Sequence, residues 1–125
     1  MRIALTALLI ALFGLADASA QERSAADTQR EIGQLFETLR SSGCQFQRNG
    51  RWHDAAEAVT HLDRKRDYLV RKDLITNAES LIERAASESS LSGRPYLVKC
   101  PGAETVESRT WFMRHLSEIR RGAAR

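Results

Sequence analysis

Hydrophobic residues recur at helical spacing in four stretches of the chain and alternate with polar residues in shorter stretches between them. The helical spacing, with apolar residues three and four positions apart, predicts four amphipathic helices that each bury one face. The alternating stretches predict β-strands. Together they predict an α+β fold in which about four helices pack on a small antiparallel sheet of two to three strands.

Each predicted helix has a start signal and an apolar stripe. The first should begin at Asp27, the second at the N-cap Asp54, the third at a cap on Thr76 and the fourth at a cap on Ser108. The second should run to about Arg71. The predicted buried stripes are Ile32, Leu35, Phe36 and Leu39, then Ala55, Ala58, Val59, Leu62 and Leu69, then Ala78, Leu81, Ile82, Ala85 and Ala86, and finally Trp111, Phe112, Leu116 and Ile119.

The strands are predicted on either side of a tight turn and near the third helix. Residues 44–48 alternate and lead into Asn49-Gly50, a dipeptide typical of two-residue hairpins, and residues 51–53 return beside them. Residues 96–100 form another strand, which Pro101-Gly102 ends.

The first twenty residues differ in composition from the rest of the chain. Met1-Arg2 is basic, residues 3–16 are mostly apolar, and Ala18-Ser19-Ala20 offers a small-residue cleavage site, which together are typical of an export signal. The apolar run is shorter than the roughly 20 residues that a membrane-spanning helix needs. We therefore predict a signal peptide over residues 1–20 and a single domain over residues 21–125, periplasmic or secreted after cleavage near Ala20, with no membrane span in the mature chain.

The chain has two cysteines, Cys44 and Cys100, at the ends of two predicted strands. In an oxidising compartment such a pair indicates a disulfide. If the strands are antiparallel with Cys44 facing Cys100, Phe46 must face Val98. A redox pair and a zinc site are the alternatives, but a redox pair usually has Cys-x-x-Cys spacing and zinc would need two more ligands. No metal and no cofactor are predicted.

The charge balance does not indicate a nucleic-acid partner. The formal net charge is +3, a mild excess. Basic residues are dense between Arg64 and Lys72, but Asp63, Asp67 and Asp73 interleave with them, which favours a solvated helix face over a phosphate-binding surface.

Candidate chemistry centres on His61, because Lys65 and Tyr68 follow on the same flank of the second helix. Such a row can bind an anion or transfer a proton, although a hydrogen bond to a neighbouring loop is the commoner role for such a histidine. A second candidate is the serine-rich stretch 87–92, but the Gly-x-Ser-x-Gly pattern of hydrolases is missing from the sequence. No catalytic residue is predicted, and a small envelope hydrolase or transferase using His61 with a loop serine remains the alternative.

Three sequence blocks carry a family resemblance: Phe46 to Gly50, Glu57 to Leu62 and Ser89 to Lys99. They resemble the YfeK-like family of small exported bacterial proteins, over roughly residues 32–102. The resemblance implies a periplasmic location and one compact domain, and it brings no established activity or catalytic residue. Arg66 stands where the family pattern leads us to expect an aromatic or aliphatic residue.

Ser92-Gly93-Arg94-Pro95-Tyr96 also resembles the Ser-Gly-x-x-Tyr element of periplasmic lysozyme inhibitors. That resemblance implies a loop that enters the active cleft of another protein. A lysozyme-inhibitor-like protein is therefore a further alternative.

The predicted function is a non-enzymatic periplasmic binding or envelope-maintenance module. The strand register brings the turn after the first strand and the loop before the last to the same end of the sheet. The partner is predicted to be an envelope protein or a peptidoglycan fragment, and not a nucleic acid. The predicted binding surface comprises Arg48, Asn49, Gly50, His61, Ser89, Ser90, Ser92, Gly93 and Tyr96.

Overall fold

Four helices and a four-stranded antiparallel sheet form the part of the chain that the structure describes. This computed structural model describes residues 14–123, with side chains from residue 24 onward, so residues 1–13 of the predicted signal peptide lie outside the described residues. The sheet order is β2-β1-β3-β4. The elements in chain order are α1 (Gly14–Arg40), β1 (Gln45–Arg48), β2 (Arg51–Asp54), α2 (Ala55–Arg71), α3 (Ala78–Ala85), β3 (Leu97–Lys99), β4 (Val106–Glu107) and α4 (Ser108–Ala123).

Strand β1 lies in the middle of the sheet and sets its register. Asn49 and Gly50 both have positive φ angles, 50° and 79°, as a two-residue hairpin turn requires. On the other side of β1, Phe46 pairs with Val98. The predicted hairpin and the predicted register are both confirmed.

A disulfide links the two chain segments next to the paired strands β1 and β3. Cys44 and Cys100 are bonded, one residue beyond the pairing of Gln45 with Lys99. The predicted bridge is therefore confirmed, and it joins the residue before β1 to the residue after β3.

The fourth strand, Val106–Glu107, was not predicted. It pairs with β3 at the edge of the sheet. A strand of two residues is too short to alternate, so its sequence gives no recognisable pattern.

One hydrophobic core joins the helices to the sheet. Helices α2 and α4 contact the sheet, and α1 and α3 pack against both of these helices. Every residue of the predicted stripes is buried except Ile119, which is half-buried. The helical periodicity therefore predicted the core correctly, because only an amphipathic face can be covered by a second layer.

Helices α1 and α3 do not start where the sequence predicts. Helix α1 is already helical at Gly14 instead of starting at Asp27, because the intervening Ala, Gln, Glu and Arg residues favour helix and no proline interrupts them. Helix α3 is capped by Asn77 and not by Thr76. The Asn77 side chain accepts a hydrogen bond from the Ser80 backbone N–H at 2.8 Å.

Arg66 contributes to packing where an apolar residue was expected. Its guanidinium carbon lies 5.4 Å from the centroid of the Phe36 ring. One of its nitrogens lies 3.0 Å from a carboxylate oxygen of Asp63. A cation–π contact with a paired charge thus covers the ring.

Ser108 was predicted to cap α4, but it is the first residue of that helix and is fully buried (0% exposed). Its backbone N–H donates to the carbonyl of Tyr96 at 2.8 Å, whereas its Oγ has no hydrogen-bond partner among the described residues. A buried hydroxyl without a partner costs about 1–3 kcal/mol.

Replacing Ser108 with alanine should therefore raise the free energy of unfolding by about 1 kcal/mol. Chemical denaturation checks this expectation. Ser117→Ala, on the exposed side of the same helix, is the matched control for the higher helix propensity of alanine. A loss of stability in Ser108→Ala would contradict the expectation and show that the hydroxyl is hydrogen-bonded.

Candidate functional site

The predicted turn and loop meet at one end of the sheet. Ser92 Oγ donates to Asn49 Oδ1 at 2.7 Å, although the two residues are 43 positions apart. A Cβ atom added at Gly50 would lie 3.8 Å from Nη1 of Arg94. We call this contact region, residues 48–50 with residues 89–96, the turn–loop edge.

The loop of this edge is held by its own hydrogen bonds. Ser89 is buried, and its Oγ accepts hydrogen bonds from the backbone N–H groups of Leu91 and Ser92 at 3.2 and 3.3 Å. Gly93, with φ of 71°, donates its N–H to the Ser89 carbonyl at 2.9 Å. Leu91 at the tip is 97% exposed. The loop therefore presents an apolar side chain on an ordered backbone.

His61 lies beside the turn–loop edge because α2 packs on β1 and β2. Its Nδ1 lies 2.7 Å from Nη1 of Arg48, the last residue of β1. The same Nη1 lies 3.3 Å from Nε2, and because a guanidinium only donates, the closer ring nitrogen, Nδ1, is the acceptor of this bond. His61 is thus a neutral imidazole held by an arginine.

Tyr96 belongs to the core and reaches the site only through its hydroxyl. The residue is 3% exposed, and its ring packs against Phe46 with centroids 5.2 Å apart. Its edge approaches His61 with centroids 6.2 Å apart. Lys65 Nζ donates to Tyr96 Oη at 3.2 Å. Of the predicted surface, Tyr96 is therefore the member with the least accessible side chain.

Burial and positive charge together shift the pKa values of this cluster. Burial, and then the charges of Arg48 and Lys65, lower the pKa of His61 to about 4. Burial, and then Arg48, also lower the pKa of Lys65, and burial raises the pKa of Tyr96. Each shift favours the neutral form because burial disfavours a charged side chain, and for His61 and Lys65 the neighbouring cations act in the same direction.

The cluster opens on a cleft of about 350 Å³ between α2, α3 and the serine-rich loop. We call it the cationic cleft. Within the described part of the chain, no carboxylate oxygen lies within 4.0 Å of a side-chain nitrogen of Arg48, Arg64, Lys65 or Arg84. Its lining consists of His61, Arg64, Lys65, Tyr68, Leu69, Arg84 and Ser90.

Residues 26–120 match the model described as "Family of unknown function (DUF5329)". The chain belongs to this family. A protein of Salmonella typhimurium described as "Uncharacterized protein YfeK" is 34% identical over 93 residues, which is 74% of this chain and 72% of the relative. No solved structure matches the chain. The YfeK-like resemblance is thus confirmed, and the DUF5329 region includes the turn–loop edge and the cationic cleft.

The sequence pattern predicted only some of the residues that line the cleft in this DUF5329 protein. The row formed by His61, Lys65 and Tyr68 was recognised from its helical spacing, and all three line the cleft. Arg64 was assigned to a solvated face, and Arg84 was not singled out. The approach of α3 to α2 brings Arg84 to the cleft, and no local pattern encodes that approach.

Among the described residues, no nucleophilic side chain is in hydrogen-bond contact with the His61 ring. Among the described side chains, no serine hydroxyl makes a hydrogen bond to its ring. Ser87 Oγ donates to the carbonyl of Ile82 in α3, Ser89 Oγ accepts hydrogen bonds within the loop, and Ser92 Oγ donates to the turn. Ser90 shares the cleft with His61. No group of three or more His, Cys, Asp or Glu side chains able to hold a metal occurs between residues 24 and 123.

The His61 ring should titrate near pH 4, well below the pKa of about 6.5 of an unperturbed histidine. The unfolded chain then takes up the proton first, so His61 lowers the free energy of unfolding progressively as the pH falls from about 6.5 towards 4. NMR of the imidazole gives the pKa directly. Denaturation of His61→Gln, which keeps an acceptor for Arg48, should show a weaker loss of stability over this range. A pKa at or above 6.5 would contradict the assignment.

Proposed function

We propose that this DUF5329 protein is an exported, non-enzymatic binding module of the bacterial cell envelope. The observation that carries the proposal is the turn–loop edge, where an internally hydrogen-bonded loop anchored by Ser92 and Asn49 presents the exposed Leu91. A loop that is already ordered loses little conformational entropy on binding. The partner is an envelope protein or a peptidoglycan fragment.

Export is supported by the sequence and by the disulfide. Structural disulfides form in oxidising compartments, and Cys44 is bonded to Cys100. Among residues 24–123, the first residue of the hydrophobic core is Ile32, so cleavage near Ala20 would leave this core in the mature chain. Between residues 14 and 123, no helix combines the length and the apolar character that crossing a membrane requires.

The test is retention of a partner by the immobilised mature chain. Purified peptidoglycan fragments and envelope extract are applied in parallel to the unchanged protein and to Leu91→Ala, Ser92→Ala and Arg48→Gln variants. We expect each substitution to reduce retention, because each alters the edge without removing core residues. Ser117→Ala on α4 is the matched control. Retention that is equal in all variants would overturn the proposal.

A small hydrolase using His61 is the second candidate, because Ser90 lines the same cleft. Against it, Arg48 donates to Nδ1 of His61 and the low pKa makes the imidazole a weak base at neutral pH. Hydrolysis of an ester or glycosidic substrate that is abolished by Ser90→Ala and by His61→Gln would favour this candidate. Inhibition of a lysozyme that Ser92→Ala removes would instead favour the inhibitor-like alternative.

A further inference from the structure

We propose that the cationic cleft binds a phosphate monoester whose organic part is apolar or aromatic. This inference rests on the proposed function and deepens it, because His61 joins the cleft to the turn–loop edge through Arg48. The proposal names a ligand class for the binding module and a place for it between α2 and α3.

The first argument is charge. Arg64 and Lys65 on α2 and Arg84 on α3 line one cleft, so three positive charges converge from two helices. Within residues 24–123 no carboxylate pairs with any of them, whereas Arg120 of α4 is paired with both Glu31 and Glu79. Uncompensated like charges repel one another, and a bound dianion would relieve that repulsion. A phosphate monoester carries a charge between −1 and −2 near neutral pH and suits three cations better than a carboxylate does.

The second argument is the set of donors. Guanidinium groups present planar pairs of N–H donors that match phosphate oxygens, and an ammonium adds a point charge. Lys65 is half-buried, and its lowered pKa reflects desolvation that no counter-ion offsets. His61 lines the same cleft and is held in place by Arg48, whose Nη1 lies 2.7 Å from Nδ1 of the ring. Ser90 adds a hydroxyl.

The third argument is the shape and the apolar wall of the cleft. Its volume of about 350 Å³ falls at the lower end of the range for small-molecule sites and exceeds the needs of a bare oxyanion. Leu69 and the ring of Tyr68, which is 52% exposed, form an apolar wall beside the cations. Lys72 Nζ lies 6.0 Å from the Tyr68 ring centroid and extends the positive surface. An aromatic or apolar group attached to the phosphate would occupy this wall.

The experiment is a titration of the mature protein with three probes. Binding is measured by calorimetry and by NMR of the side chains of His61 and Lys65. The probes are phenyl phosphate, inorganic phosphate and phenol. We expect phenyl phosphate to bind about tenfold more tightly than inorganic phosphate, because part of the ring is buried against Tyr68 and Leu69. Phenol, which lacks the charge, should not bind measurably.

Arg84→Gln and Arg64→Gln should each weaken the binding of phenyl phosphate about tenfold, because each removes one exposed guanidinium from the cationic cleft. Arg114→Gln, an exposed arginine of α4 that does not line the cleft, is the matched control and should leave the affinity unchanged. Equal weakening by Arg84→Gln and Arg114→Gln, or no saturable binding of phenyl phosphate by the folded protein, would overturn the proposal.

Two further measurements are needed. One distinguishes a soluble from a lipid source of the ligand, and the other distinguishes failure of the cleft proposal from failure of the proposed function. 1-Naphthyl phosphate represents soluble phosphate esters with an apolar organic part, and vesicles containing phosphatidic acid represent lipid phosphates; competition with phenyl phosphate by either supports the cleft and identifies its source. Ser92→Ala should lose partner retention and keep its affinity for phenyl phosphate. Partner retention without phenyl phosphate binding overturns the cleft alone, and binding without retention overturns the turn–loop edge alone.

Discussion

Replacing Cys44 and Cys100 together with alanine should lower the free energy of unfolding by about 4 kcal/mol. The two residues lie 56 positions apart, so the bridge closes a long loop and removes much of the conformational entropy of the unfolded chain. Domains of this size are stable by only about 5–15 kcal/mol in total. The variant should therefore be close to unfolding at physiological temperature, as measured by urea denaturation followed by circular dichroism.

A control for this prediction uses the unchanged protein in a strong reductant. Reduced wild type and the double alanine variant should unfold at similar urea concentrations, because both lack the same constraint. A loss below about 1 kcal/mol in either case would contradict the account in which the bridge holds β1 to β3, and would show that the unfolded chain keeps residual structure.

Leu62→Ala should cost about 3 kcal/mol, within the range of about 2–5 kcal/mol for a leucine truncated in a packed core. Leu62 is 0% exposed and lies in the inner stripe of α2, the helix that contacts α1, α3, β1 and β2. The truncation removes buried methyl groups and leaves a cavity that rigid neighbours fill only partly. Equilibrium denaturation measures the effect.

The chain offers a matched control for this substitution. Leu91 is 97% exposed, so the same change there should alter the free energy of unfolding by less than about 0.5 kcal/mol. Equal losses for the two alanine variants would contradict the assignment of Leu62 to the core. Because Leu91 lies on the turn–loop edge, its variant also separates binding from stability: we expect lost retention with an unchanged fold.

The fold could be predicted from the sequence wherever a pattern extends over several turns or residues. The stripe of α2 and the pairing of Phe46 with Val98 follow from apolar spacing and from two cysteines that admit one register. The short strand β4 and the cap at Asn77 could not be predicted in this way. A two-residue strand has no period, and neighbouring Thr76 and Asn77 are both acceptable caps until the tertiary structure selects one.

The candidate site could be predicted only in outline. The spacing within α2 identified His61 and Lys65, and the strand register brought the turn and the serine loop together. The contribution of Arg84 depends on how α3 packs on α2, which sequence periodicity does not specify. The burial of Tyr96 has a similar cause, since the residue directly precedes β3 and its ring packs on Phe46 of the neighbouring strand β1.

The pKa of His61 tests most directly whether the cationic cleft binds an anion, because the imidazole lines this cleft and is neutral in the free protein. We predict a value of about 4 in the free protein. Phenyl phosphate should raise it by at least about one unit, because a nearby anion favours the protonated imidazole and a phosphate monoester keeps one negative charge even at acidic pH. The increase should persist in Arg114→Gln and diminish in Arg84→Gln. A pKa of His61 that phenyl phosphate leaves unchanged at its highest soluble concentration would contradict the claim that the cationic cleft is an anion-binding site.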